Sequence, residues 1–169
     1  MKHIVLIGFM GAGKSTVGRA LAAELGRELL DTDQMIEEKA GCRITEIFAR
    51  QGEPAFRRLE EEILKQLAEE KAPAVISTGG GMPVFEKNRP ALRRLGTVVY
   101  LQVKPETVLK RLKGDTTRPL LQGGGAESRV RELLAEREPA YRDTAHEVVP
   151  VDGMSADEVV RRIKELNNI

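Results

Sequence analysis

The stretch Ile4-Val5-Leu6-Ile7-Gly8-Phe9-Met10-Gly11-Ala12-Gly13-Lys14-Ser15-Thr16 passes from four apolar residues directly into a glycine-rich turn. The apolar run is short and rich in β-branched residues, which reads as a strand buried on both faces, as in a parallel sheet. Gly8 to Ser15 fits the P-loop pattern G-x-x-x-x-G-K-[ST], and helical spacing begins at Ser15. Nucleotide phosphates need a concave ring of N–H donors at a helix N-terminus, and glycines let the backbone turn tightly enough for those donors to converge. Gly11, Ala12 and Gly13 are thus expected to cradle the phosphates of a nucleoside triphosphate. Lys14 would reach the β- and γ-phosphates, the Ser15 hydroxyl would hold Mg²⁺, and Thr16 would add a further contact. A chance glycine-rich helix cap is the plain alternative, but it would not need the strand in front.

Similar short apolar runs recur at Leu29-Leu30, Ala74-Val75-Ile76, Val98-Val99-Tyr100-Leu101 and Val148-Val149. Between them lie stretches with helical apolar spacing: 15–25, 33–39, 44–49, 53–70, 105–112, 127–141 and 156–166. Strands alternating with helices imply an α/β fold, a parallel sheet with helices on both faces. No repeat or linker divides the chain, so one domain over residues 1–169 is expected, with a mobile lid at about 113–125.

The chain has 169 residues, 41% hydrophobic, 31% charged and 4% aromatic, with no Trp. This excludes disorder and argues against a base-stacking nucleic-acid surface. With 27 Lys and Arg against 26 Asp and Glu, the net charge of +1 gives no bulk attraction to nucleic acid or an anionic membrane. No run approaches the roughly 18 apolar residues of a membrane helix. Cys42 is the single cysteine, so no disulfide within the chain is possible and a reducing, cytoplasmic setting is expected. Without a C-x-x-C partner or a neighbouring His, Cys42 reads as a structural thiol.

Asp31-Thr32-Asp33 ends the second expected strand, where ligands collect in an open parallel sheet. With Asp31 facing the P-loop, it would orient a Mg²⁺-bound water and leave Asp33 to accept a proton from an attacking hydroxyl. The bland alternative makes Asp33 the N-cap of a helix starting at Gln34. In Phe56-Arg57-Arg58, followed by Glu60, Glu61 and Glu62, a ladder of Arg58 with Glu61 and Glu62 suits a solvated face. Arg57 is also the planar bidentate donor that captures a small carboxylate. Gly79, Gly80 and Gly81 follow the third strand. Successive glycines there cost chain entropy, which a ligand pressed on bare backbone would offset; a plain flexible loop is the alternative. Arg118, in Arg118-Pro119-Leu120-Leu121, reads as an arginine on a closing loop, with a solvated linker as the alternative. Arg137 in Glu136-Arg137-Glu138-Pro139 reads by itself as a surface residue.

The order and spacing of these segments, together with Arg137-x-x-x-Tyr141, resemble shikimate kinase over nearly the whole chain. The resemblance implies a three-layer P-loop kinase fold with a five-stranded parallel sheet. It also implies ATP-dependent phosphorylation of the 3-hydroxyl of shikimate, in the pathway to chorismate and aromatic amino acids, by a monomer. Carried over by position, Asp33 would bind shikimate hydroxyls and act as the base. Arg57, Gly79, Gly80, Gly81 and Arg137 would form the substrate site, with the two arginines pairing with the carboxylate. Arg118 would touch the ATP phosphates, Arg111 would lie against adenine, and Asp31 would reach Mg²⁺ through water. One segment departs from the family. Where it has Val-Asp-Thr before the last helix, this chain has Val149-Pro150-Val151-Asp152-Gly153, with Pro150 at the Asp position in the ungapped alignment and Met154 where some relatives have a basic residue. Two other readings share the phosphate cradle: a gluconate-type sugar-acid kinase, and a module that senses ATP without transferring phosphate. The former lacks the combination of Asp31-Thr32-Asp33, Phe56-Arg57-Arg58 and the triple glycine, and the latter predicts no acceptor site.

Overall fold

The structure, a computed structural model, describes residues 2–113 and 125–169. In chain order the elements are β1 (His3–Ile7), α1 (Lys14–Leu25), β2 (Leu29–Asp31), α2 (Thr32–Ala40), α3 (Ile44–Glu69), β3 (Val75–Ser77), a 3₁₀ turn (Met82–Val84), α4 (Asn88–Leu95), β4 (Gly96–Gln102), α5 (Pro105–Leu112), α6 (Ala126–Thr144), β5 (Glu147–Pro150) and α7 (Ala156–Asn167). The strands form one five-stranded sheet in the order β2-β3-β1-β4-β5. All four pairings are parallel, with Ile4 opposite Val75 and Val5 opposite Val98. All five residues of β1 are buried, the consequence of a central strand covered on both faces. Helices α1 and α7 pack together, while α4 and α6 contact each other and β4. The chain winds from β1 out to β2, returns through β3, and then crosses to β4 and β5. The carboxyl end of β1 therefore lies at the reversal of winding, where open α/β sheets bind ligands.

Two features of the helices go beyond the apolar pattern. The expected helices at 44–49 and 53–70 are the arms of α3, bent at Gly52 (φ 80°, ψ 175°), a conformation essentially reserved for glycine. Helix α4 lies outside the expected pattern because three of its eight residues are arginines; only Asn88, Leu92 and Leu95 are buried. Gly96 is dictated by close approach, since a Cβ there would stand 1.9 Å from the His3 carbonyl oxygen. Tyr100, Tyr141 and Phe9 are the largest fully buried side chains, and they sit close behind the carboxyl ends of β1 and β4.

Candidate active site

The P-loop joins β1 to α1 through three glycines at positive φ: Gly8 (150°), Gly11 (78°) and Gly13 (89°). Gly8 also has no room for a side chain, because a Cβ would lie 2.7 Å from the Leu101 carbonyl oxygen. Gly13 forms the N-terminal boundary of α1, which has neither a capping side chain nor an acidic residue in its first turn. Helix α7, by contrast, is capped by Ser155 and carries Asp157 and Glu158 there. An uncapped, acid-free N-terminus keeps its N–H groups and positive dipole end for an anion. The Lys14 ammonium donates to the Gly8 and Phe9 carbonyls, 2.6 and 2.9 Å away, so the cation is folded over the loop that made it recognisable. Ser15 and Thr16 are exposed at the mouth of a cleft of about 490 Å³, which Asp31, Asp33, Gly80 and Arg137 also line.

Asp31, not Asp33, caps α2: its Oδ1 accepts from the Asp33 and Gln34 N–H groups at 2.9 and 3.1 Å. This corrects the alternative that made Asp33 a cap. The helix starts two residues earlier than that reading required, so Asp33 lies in its first turn and not at its cap. Its carboxylate lies over Gly79, where a Cβ would meet Oδ1 at 2.6 Å. Fully buried Thr32 locks the two segments by accepting from the Gly79 N–H at 3.0 Å.

The three glycines after β3 form a wall, and each faces a different charged side chain. A Cβ on Gly79 would meet Asp33, one on Gly80 would approach the Arg137 guanidinium at 3.3 Å, and one on Gly81 would approach that of Arg57 at 3.0 Å. The bare backbone is therefore filled by the site's own side chains rather than kept open as a flexible loop. Arg57 and Gly81 stand just beyond the residues lining the cleft, one step along the wall from Gly80.

The helix ladder falls on Arg57 instead of Arg58. Arg57 bonds Glu60 at 2.5 Å and Glu53 at 3.4 Å, while Glu62 pairs with Lys39 and Glu61 with Lys87. The reason is geometric: Arg58 points to solvent, and the two glutamates reach across to neighbouring helices. Arg57 also lies against the rings of Phe85 and Phe56, with centroids at 4.3 and 5.2 Å. Glu60 is 1% exposed. Burial lifts its carboxyl above the ordinary value, a lift opposed by the Arg57 hydrogen bond and charge; Asp33 pushes the same way as burial, and Arg137 pulls it down. Asp33, Arg57, Glu60 and Arg137 thus belong to one electrostatic cluster. Sequence reasoning gave Glu60 no role. It belongs to the segment Phe56-Arg57-Arg58-x-Glu60 that carries the family resemblance, but its i, i+3 spacing from Arg57 is one an ordinary surface ladder shares.

On the nucleotide side, Arg111 at the end of α5 donates to the Gly11 carbonyl at 2.8 Å and overhangs the P-loop. The loop after β5 is organised by Asp152, which accepts from the Lys104 N–H at 2.9 Å and the Thr107 hydroxyl at 2.6 Å. Burial opposes ionisation of Asp152, but these hydrogen bonds outweigh it and hold its pKa below the ordinary value. Pro150, the position singled out by the ungapped alignment, is the exposed last residue of β5; the carboxylate that shapes this loop comes two residues later. Val151 and Met154 line the cleft. Arg118 lies outside the described residues.

N–H donors for phosphate on one wall of the cleft, Asp33 and Arg137 on the other and Arg57 just beyond it make this a small-molecule kinase of the P-loop class. The family model described as shikimate kinase matches residues 10–167, and the chain belongs to that family. A shikimate kinase from Moorella thermoacetica is 50% identical over 163 residues, covering 96% of this chain and 92% of its own length. One from Paracidovorax citrulli is 48% identical over 162 residues, covering 95% and 88%. The solved structure of the Acinetobacter baumannii shikimate kinase in complex with shikimate superposes with a TM-score of 0.92 at 43% identity, covering 99% of this chain and 93% of that one.

Proposed function

We propose that this chain transfers the γ-phosphoryl group of ATP to the 3-hydroxyl of shikimate, with the acceptor held along the Gly79–Gly81 wall. The observation that carries the reading is that wall: three consecutive glycines placing a carboxylate and two guanidiniums side by side, next to the phosphate cradle. Arg57 and Arg137 pair with the carboxylate of the acceptor, and the forked donors fix its orientation. Asp33 binds the hydroxyls and takes the proton from the attacking one, which its position beside both the cleft and Gly79 supports. Lys14 exchanges the carbonyls of its own loop for phosphate oxygens when nucleotide enters, and Arg111 packs against adenine. Arg118, on the segment 113–125 that we assign as a lid, supplies further positive charge to the transferring group.

The donor set suits Mg²⁺. The Ser15 hydroxyl, and Asp31 through water, are hard oxygen ligands, and the remaining positions fall to phosphate oxygens and solvent. When bound, the ion neutralises charge on the β- and γ-phosphates. Among the described residues no cluster of three His, Cys, Asp or Glu groups that could hold a metal occurs, and no helix is long and apolar enough to cross a membrane. We take the enzyme to be a single-domain cytoplasmic monomer, and elution of one 169-residue chain in size-exclusion chromatography with light scattering is the expected result.

Incubation with ATP and shikimate, followed by phosphorus NMR of the product, tests the acceptor and its position. One new phosphate monoester coupled to the C3 proton is expected, with no product from an analogue lacking the 3-hydroxyl. Turnover of that analogue would overturn the assignment.

A further inference from the structure

Helix α6 carries a second group aimed at the glycine wall. Tyr141 lies one turn after Arg137 and is fully buried. Its hydroxyl donates to the Gly80 carbonyl at 2.7 Å. The Arg137 guanidinium neighbours the Tyr141 hydroxyl itself, and its charge and hydrogen bonding favour that hydroxyl's ionisation. The two side chains meet over one point of backbone: a Cβ on Gly80 would find the Arg137 guanidinium at 3.3 Å and the Tyr141 oxygen at 3.7 Å. On its other side Arg137 stacks over the ring of Phe9, 5.7 Å from the centroid.

We propose that Tyr141 is a positioning residue for Arg137, its hydroxyl bridging the Gly80 carbonyl and the guanidinium so that the arginine presents a fixed fork to the carboxylate of the acceptor. This rests on the reading of Arg137 as a carboxylate clamp. A long flexible arginine loses rotamer entropy on binding, and a neighbour that holds its head group beforehand reduces that loss. Burial raises the Tyr141 hydroxyl to about 12, partly offset by the charge and hydrogen bond of Arg137, so it remains a proton donor to Gly80 throughout the neutral range. The base of the arrangement is rigid. The Tyr141 ring packs on that of Tyr100 at 5.1 Å, and Tyr100 donates to Glu138. Glu138 also accepts from Gln102 at 3.0 Å, which ties α6 to β4 at the turn that bears Arg137.

Tyr141→Phe keeps the ring and removes the bridge. The expected effect is a rise of about ten-fold or more in the shikimate KM, the order of one lost hydrogen bond to a charged group, with kcat and the ATP KM within about two-fold. Tyr100→Phe is the structural control: it removes a buried hydroxyl from the same aromatic pair without touching Gly80 or Arg137. Its shikimate KM is expected to stay within about two-fold of the parent's, because Gln102 still holds Glu138, and with it α6, to β4. An equal rise in both variants would show general loosening of α6 and overturn the proposal, as would an unchanged KM in Tyr141→Phe. Arg137→Met separates this from the reading beneath it. Unchanged shikimate affinity in Arg137→Met removes the clamp itself. If that variant loses affinity but a further Tyr141→Phe lowers it by the same factor as in the parent, the clamp stands and the positioning role fails; the proposal expects no further loss. Shikimate titration calorimetry on each variant, gated by its circular dichroism spectrum, gives the same comparison independently of turnover.

Discussion

Asp33 and Glu60 are both carboxylates of one cluster, yet the structure gives them opposite settings. Asp33 faces the cleft beside Gly79, and Asp33→Asn is expected to reduce kcat by about 10²- to 10⁴-fold with the thermal transition preserved. Near-parental kcat would remove its role as proton acceptor. Glu60 is sealed behind Arg57. Because its folded pKa is raised above 4.5, protonation favours the folded state, and that contribution is lost as pH rises through the folded value. Glu60→Gln does not titrate, so the Tm of the variant minus that of the parent should grow as pH rises above 4.5 and level off once Glu60 is ionised in the folded parent. A difference that is flat or falls over that rise would contradict the assignment. At any pH the variant leaves Arg57 less firmly held, so weaker shikimate binding is expected in the same protein. Of these residues, Asp33 and Arg57 were legible by type and motif position. Glu60 was not, because burial is a property of the packed helix and not of the letter.

The glycine wall is the element that converts three unrelated segments into one site, and it carries a prediction with an internal contrast. Gly79→Ala forces the Asp33 carboxylate to move, since the added carbon would sit 2.6 Å from its oxygen, and is expected to lower kcat by about 100-fold. Gly81→Ala crowds Arg57 at 3.0 Å instead and should raise the shikimate KM by about ten-fold while leaving kcat nearer the parent's. The same kinetic signature from both substitutions would show that the wall acts only as a hinge. From sequence, this segment announced itself as costly backbone at a strand end, but the partners of each glycine come from α2, α3 and α6. No local pattern encodes that pairing. The strands were the most legible elements, because burial on both faces leaves an uninterrupted apolar run such as Ile4 to Ile7. Helix α4 was the least legible, its arginines outweighing two buried leucines.

Across the whole molecule, a net charge of +1 conceals an uneven distribution. Lys14, Arg111 and Arg137 line or overhang one cleft at the carboxyl end of the sheet, with Arg57 beside it, while cations such as Lys39, Arg50, Arg131 and Lys164 pair with carboxylates on the outer helices. Ligands that bind only the folded chain should therefore stabilise it. Shikimate and a non-hydrolysable ATP analogue, each at about 100 times its Kd, would add roughly 2.7 kcal/mol apiece, visible as a rise of several degrees in Tm. Gluconate at the same concentration is expected to leave Tm unchanged. The central claim is tested most directly by ADP release coupled to NADH oxidation, measured with ATP and Mg²⁺ and either shikimate, gluconate or no acceptor. Release that depends on shikimate and is abolished in Asp33→Asn is the predicted result. Release that is indifferent to acceptor, or that gluconate supports and shikimate does not, would contradict it.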